Sequence, residues 1–308
     1  INSMPSAVAQ GLIWGIMAIG VYLTYRILDV ADLTVDGSLG TGGAVCVVMV
    51  LNGAPVGLAL LAATAAGMLA GLVTGLFHTA CGIPAILAGI LTQLALYSVN
   101  LRIMGFGTGG GKANLPISVD KYSLLVSARY VRNVALNNPI LTLAIFCAVL
   151  IAVLYWFFGT ELGCSLRATG ANQNMARAQG INTNVTKVLG LMISNGLVAL
   201  AGGLLAQYQG FSDINMGRGA IVIGLAAVII GEVIFSRIFR NFALKLLSAV
   251  IGAIIYYIVM VFVLRLGLST DDLKLLTALV VALFLTIPYW KGKYFTKTSV
   301  KKGEKNHA

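Results

Sequence analysis

The side chains able to do chemistry are few in this sequence and poorly grouped for it. His78 and His307 are the two histidines and lie far apart; a lone histidine at a helix end reads as an interfacial polar group rather than a ligand or base. Cys46, Cys81, Cys147 and Cys164 are scattered, with no C-x-x-C and no histidine nearby, so neither a zinc site nor a disulfide framework is indicated. Two of them fall in apolar stretches, where a cysteine acts as a small hydrophobe. No Ser/His/Asp set and no H-E-x-x-H occurs. The run Gly105-Phe106-Gly107-Thr108-Gly109-Gly110-Gly111-Lys112 matches G-x-G-x-x-G from Gly105 to Gly110, but it follows an apolar helix rather than a strand and opens no βαβ unit. A Walker A loop would need Gly where Phe106 stands and Ser or Thr where Ala113 stands. The run is a flexible loop, and the usual phosphate cradle for ATP is missing.

The carboxylates that come closest to the membrane are Asp29, Asp32, Asp36 and Glu232, all near the ends of apolar stretches. Ionisable groups close to a membrane interior are expensive and mark functional positions. Asp36 has two readings, a group beside a transport route that orders the helix following it, or a cap on a helix N-terminus. Asp29 reads as the cap. Glu232, behind Gly231, reads as an ion-pair partner of Arg237 or Arg240.

The elements that must carry these residues follow from composition. The 308 residues are 58% hydrophobic and 10% charged, against about 25% charged and 45–50% apolar in soluble domains. That is too little charge to cover a globule in water, so the solvent is lipid. The net charge of +11 would suggest nucleic acid for a soluble chain. Here it reflects Lys and Arg retained on the cytoplasmic side, and no nucleic-acid partner is expected. Met4 reads as the natural start after Ile1-Asn2-Ser3, and no cleavable signal is expected.

A membrane helix needs about 20 apolar residues. Candidates are Ala7–Leu28, Pro55–Phe77, Ile83–Val99, Pro139–Phe158, Val185–Gln207, Ala220–Phe235, Phe242–Leu264 and Leu273–Pro288. Ser38–Leu51 is short and opens on the glycine-rich run 37–43, so it reads as a broken or re-entrant helix wrapped in protein. The fold class is all-α, a polytopic bundle of eight to ten transmembrane helices over residues 1–290, followed by a basic cytoplasmic tail, 291–308. With nine crossings and the tail inside, the cytoplasmic side holds 13 Lys and Arg and the other side 8. Without the tail lysines the count is 7 against 8, so the rule gives this orientation weak support, the main dissent coming from the basic loop Leu101–Asn138. Gly67, Gly71 and Gly75 form a bare strip at i, i+4, i+8, and Gly224 and Gly231 suggest a second. Both read as close helix packing within the chain, ahead of a dimer seam.

One long polar stretch lies on the assigned cytoplasmic side, about residues 159–187. Within it Asn172–Gln179 is a short helix ended by Gly180. By composition this is either a docking element for a soluble partner or an ordinary interfacial helix.

Here a family resemblance enters. Gly170-Ala171-Asn172-Gln173-Asn174-Met175-Ala176-Arg177-Ala178-Gln179-Gly180-Ile181 resembles the cytoplasmic coupling loop of ABC importer permeases of the branched-chain amino acid and ribose type. The family writes Ala at Ala176 and Gly at Gly180, and often an acidic residue where Asn174 stands. Arg26–Ser38 and Gly217–Glu232 resemble the same family, and the likeness runs from Met4 to about Tyr289. The subgroup resembled is linked to aromatic amino acids such as tryptophan or tyrosine.

The resemblance implies a multi-pass permease of the bacterial plasma membrane, with no cofactor of its own, paired as a homodimer, importing a small solute. A separate ATP-binding-cassette ATPase would hold ATP and Mg, and an extracytoplasmic solute-binding protein would deliver the solute. Contact with the ATPase falls to Arg167, Asn172, Asn174, Met175, Ala176, Arg177, Gly180 and Ile181. The permeation route is expected along Asp32, Asp36, Ser38, Gly40, Asp213 and Asn215, and binding-protein docking at Arg129 and Arg132. No residue is expected to be catalytic and none to bind metal. The rival is an ion-coupled secondary transporter, which needs a matching pair of broken helices and a midplane carboxylate; Gly37–Gly43 supplies one half of such a pair, but no corresponding segment is legible in the second half of the sequence and no carboxylate sits mid-span. A channel would need a selectivity ring, and no such signature occurs.

Overall fold

The computed structural model describes residues 4–106, 110–118, 121–131, 138–235, 241–265, 275, 277–284, 286 and 290. Its helices are α1 (Met4–Tyr22), α2 (Val35–Leu51), α3 (Val56–Thr79), α4 (Ala85–Met104), α5 (Pro139–Gly159), α6 (Glu161–Ala171), α7 (Gln173–Ala178), α8 (Thr183–Gln209), α9 (Ala220–Phe235) and α10 (Phe242–Arg265). Six of these spans, α1 with its continuation to Ile27, α3, α4, α5, α8 and α10, are long and apolar enough to cross a membrane among the described residues. The two shorter apolar helices are α2 and α9. A two-stranded antiparallel ribbon, β1 (Asn114–Pro116) with β2 (Phe211–Asp213), pairs Leu115 with Ser212.

The bundle is built around α1 and α8. Their hydrophobic windows are 89% and 72% buried, whereas that of α5, the most apolar span, is 22% buried. Apolarity therefore identifies the lipid-facing helices as readily as the core, since lipid is as good a partner for Leu as protein is. The central helices take small residues instead, because their partners approach on every side.

Glycines set those approaches. On α3 a methyl at Gly67 would run into Ala199 and the Asn195 carbonyl, and one at Gly71 into the backbone of Leu191. The strip thus seats α3 antiparallel against α8 within the chain. Gly224 meets Val21 of α1 and Gly231 meets the Ser248 carbonyl of α10, so the second strip is also internal.

The same physics corrects the reading of residues 37–43. The helix is short and enclosed, as expected, but it is continuous from Val35 to Leu51 and not broken. Gly42 abuts the Ala199 backbone, Gly37 lies against Gln93 and Leu96 of α4, and Gly43 faces Met216 and Ser212. The glycines are there because three neighbours press on one helix, not because the helix stops.

The irregular element is in α1, which passes at Leu23–Ile27 into a π-helical turn. The chain then reverses through Asp29, whose φ of 53° is one that Asp tolerates better than most residues. It climbs back beside α8 before α2 begins.

Candidate functional site

Polar groups collect at three depths along the bundle. The first is the end carrying α6 and α7. Asn172 terminates α6 and caps α7, its Oδ1 accepting from the backbone N–H of Asn174 (3.0 Å) and Met175 (3.1 Å). Gly180, at φ 81°, closes α7, and the Ile181 N–H donates back to the Ala176 carbonyl at 3.0 Å, a Schellman closure. Asn182 then caps α8 through the N–H groups of Asn184 and Val185. Two caps and one left-handed glycine fix this short helix rigidly. Ala176 points inward at 2% exposure, while Met175 stands out at 62%. The exposed outer face of α7 also presents Asn174 and Arg177. Arg177 is tied by its Nε to Thr183 Oγ1 (2.8 Å). Arg167 is turned away from α7, donating to the Phe158 carbonyl at 2.6 Å and lying over the Phe242 ring.

This helix pair is joined to the core by backbone contact. Gly170 abuts the Ile27 carbonyl, and Leu28 packs against Gly190, which also meets Leu166 of α6. Beside the junction, Arg26 pairs with Glu232 at 2.9 Å. The expected partners Arg237 and Arg240 lie outside the described residues; Arg26 takes the role because α1 and α9 run parallel and end together. Arg26, Arg167, Glu232 and Lys245 line a basin of about 610 Å³ here.

The second depth is the middle of the bundle. Asp32, 3% exposed, accepts from the Thr34 N–H (2.9 Å) and from Asn195 Nδ2 (2.7 Å). Ser38 donates to Asn195 Oδ1 at 2.6 Å. Asn195 is the thirteenth of 27 residues in α8, so a carboxylate does sit level with the middle of a span, contrary to the sequence reading that placed all carboxylates at span ends. Thr34, Thr74 and Thr92 continue the network through hydroxyls at 2.7 and 2.9 Å, linking α2, α3 and α4.

Asp36 lies in the first turn of α2 and caps another helix, accepting from the N–H of Gly219 (3.0 Å) and Ile221 (2.9 Å) at the start of α9. The helix-cap reading of Asp36 is thus realised on a helix far along the chain. The consequence is architectural: α2 runs from mid-depth to the ribbon end, α9 from mid-depth to the α7 end, and their N-termini meet. A matching pair of half-length helices therefore exists, one in each half of the chain.

Beside this meeting point a cavity of about 390 Å³ is lined by Asp36, Gly37, Gln93, Tyr97, Asn100 and Arg218. Of the residues expected along a route, Asp36 lines it. Gly40 does not line it but lies behind Asn100, 3.2 Å from Asn100 Nδ2 for a Cβ placed there. Asp32 and Ser38 are closed into the network behind it. Asp213 and Asn215 sit apart on the ribbon and its turn, bonded to each other through the Asn215 N–H (2.7 Å). Sequence reading missed Gln93, Tyr97, Asn100, Asn195 and Arg218. The first three were findable, since i, i+4, i+7 puts them on one face of an otherwise apolar helix.

The third depth is the ribbon end. Tyr122 reaches the Leu51 carbonyl (3.4 Å) and the Leu125 N–H donates to Gln207 Oε1 (3.2 Å), drawing the loop over α2 and α8. Arg129 is exposed on a 3-10 turn there. Arg132, the tail lysines, His307 and part of the last candidate span lie outside the described residues. No group of three or more metal-ligating side chains occurs among the described residues.

A multi-pass helical bundle with a buried polar network at mid-depth is the build of a membrane transport protein. The pattern of the family described as branched-chain amino acid transport system / permease component matches residues 3–287, and the chain belongs to that family of ABC importer permeases. It is 41% identical over 286 residues to a tyrosine transport system permease protein of Clostridioides difficile, covering 92% of this chain and 90% of that one. An autoinducer 2 import system permease protein of Salmonella paratyphi B is 28% identical over 234 residues, 76% of this chain and 64% of that one. PsaBC from Streptococcus pneumoniae in complex with Fab shares the fold, with a TM-score of 0.52 at 15% identity over 96% of this chain and 93% of that one.

Proposed function

We propose that this chain is the membrane subunit of an ATP-driven importer in a bacterial plasma membrane, carrying an aromatic amino acid. In this reading two copies pair, a separate cassette ATPase holds ATP and Mg, and an extracytoplasmic binding protein delivers the solute to the ribbon end. The observation that carries it is the rigid, doubly capped α7 with exposed Met175, coupled through Gly170 and Ile27 to the end of α1. A push on α7 is delivered through packed backbone to Leu28 and so to the segment that holds Asp32. The tyrosine transport relative favours an aromatic solute over a sugar.

A mild-detergent pulldown from native membranes tests the reading. A P-loop ATPase should accompany the chain and be lost when Ala176 and Gly180 are both changed to Asp. Recovery of the chain alone, even after cross-linking, would overturn it. The second reading, an ion-coupled transporter, is favoured by buried Asp32 and the paired half-helices α2 and α9. Uptake that survives ATP depletion but collapses with the ion gradient would select it.

A further inference from the structure

The cavity beside the meeting point of α2 and α9 holds a polar set that the packing of the bundle uses only in part. Asn100 is 2% exposed, its Nδ2 donates weakly to the Gly37 carbonyl at 3.5 Å, and its Oδ1 has no partner among the described residues. The acceptor is itself enclosed in the cavity wall, and the weak hold on the amide leaves it free to turn its oxygen toward the cavity that Asn100 lines. A buried acceptor left empty is a standing cost that a purely structural position would shed by becoming Leu. Arg218 lines the same cavity with an exposed guanidinium that makes no ion pair among the described residues. Asp36 adds a negative charge, and both of its oxygens are held in place by α9 backbone donors. Tyr97 and Leu94 supply a flat apolar wall.

An acceptor and a carboxylate, a guanidinium, and an aromatic surface within about 390 Å³ complement one chemical class. The ammonium of an α-amino acid needs acceptors and negative charge; its carboxylate matches the guanidinium fork; a planar side chain packs on a ring. The volume lies within the range of small-molecule sites.

We propose that this cavity is a transit site for a zwitterionic α-amino acid, the ammonium at Asp36 and, once the amide turns, at Asn100 Oδ1, the carboxylate at Arg218, and the side chain against Tyr97. The proposal rests on the importer reading for its direction but not for its recognition chemistry. Polar side chains on a lipid-facing span are tolerated where they face a water-filled route or a second protein surface. Gln93 and Tyr97 on α4 put such a face at mid-depth, so the route follows the outside of α4 with a second copy closing it.

The test uses the complex of permease, ATPase and binding protein in proteoliposomes, with L-tyrosine as the probe and uptake per ATP hydrolysed as the readout. Asn100→Leu and Arg218→Gln should each lower that ratio about tenfold, the loss expected when one charge-assisted hydrogen bond to the passing ligand is removed. Arg218→Lys should recover most of it. Asn100→Leu should leave the thermal midpoint unchanged or raised, which separates a lost ligand contact from a damaged fold. An unchanged ratio in both variants overturns the site. If the parent complex hydrolyses no ATP, the importer reading falls, and the site is then read on the purified permease. A tyrosine-induced rise in midpoint that Arg218→Gln abolishes upholds the site, and no rise in the parent overturns it.

Discussion

Asp32→Ala is the sharpest probe of how the middle of the bundle is held. Both neighbours of the carboxylate are donors, the Thr34 N–H at 2.9 Å and Asn195 Nδ2 at 2.7 Å, so it serves as acceptor alone. A hydrogen bond to a charged group contributes about 1.5–3 kcal/mol, and the substitution removes two, giving a loss of about 3–6 kcal/mol. At about 2 °C per kcal/mol for a chain of this size, the unfolding midpoint should fall by about 6–12 °C. The cysteines supply the assay. Cys81 and Cys164 are exposed while Cys46 and Cys147 are buried. With Cys81 and Cys164 changed to Ser, a thiol-reactive fluorophore reports unfolding alone. Asn195→Ala and the double variant complete a cycle, and the pair should show a coupling of about 1.5–3 kcal/mol. Additive effects, agreeing within about 0.5 kcal/mol, would mean that Asp32 and Asn195 are not partners, and the account of the network would fail.

Two further outcomes follow from the helix contacts. Gly71→Leu should prevent α3 from seating on the Leu191 backbone, giving a loss of ~3 kcal/mol or more. By contrast Gly57→Ala, on the same helix with open space around it, should be silent in the same fluorophore assay. Asn172→Ala removes the cap from the Asn174 and Met175 N–H groups and should cost α7 about 0.5–2 kcal/mol. Hydrogen exchange at residues 173–178 should then quicken by roughly two- to thirtyfold, with no matching change in α8.

What the sequence made legible is the set of apolar lengths. Ala220–Phe235 falls where α9 does, and Pro139 after a capping Asn138 marks the start of α5 as the hydropathy does. The order of those helices around a centre was hidden, because hydropathy rises equally toward lipid and toward core. The run 37–43 misled because a glycine that admits a neighbour and a glycine that ends a helix are the same letter. The Arg26–Glu232 pair and the Asp36 cap on α9 join positions about two hundred residues apart, beyond any local pattern. Asn195 is one polar residue in a long apolar helix, and its role appears only once α2 is laid beside it. The α7 helix was legible because caps act locally; the mid-depth cavity was legible only in pieces, Asp36 and the polar face of α4, because three separate segments build it.

The lengths of two helices set how the molecule rides in its bilayer. The lipid-facing α5 has 21 residues, about 31 Å at 1.5 Å per residue, close to the ~30 Å hydrocarbon thickness of a typical membrane. The buried α8 has 27 residues, about 40 Å by the same measure, and overshoots that thickness by about 10 Å. A helix of that length must tilt or carry one of its ends beyond the acyl chains. How far the ends of α8 stand clear of the hydrocarbon is therefore a matter of span length and tilt, and a bilayer only a few ångströms thicker would change both.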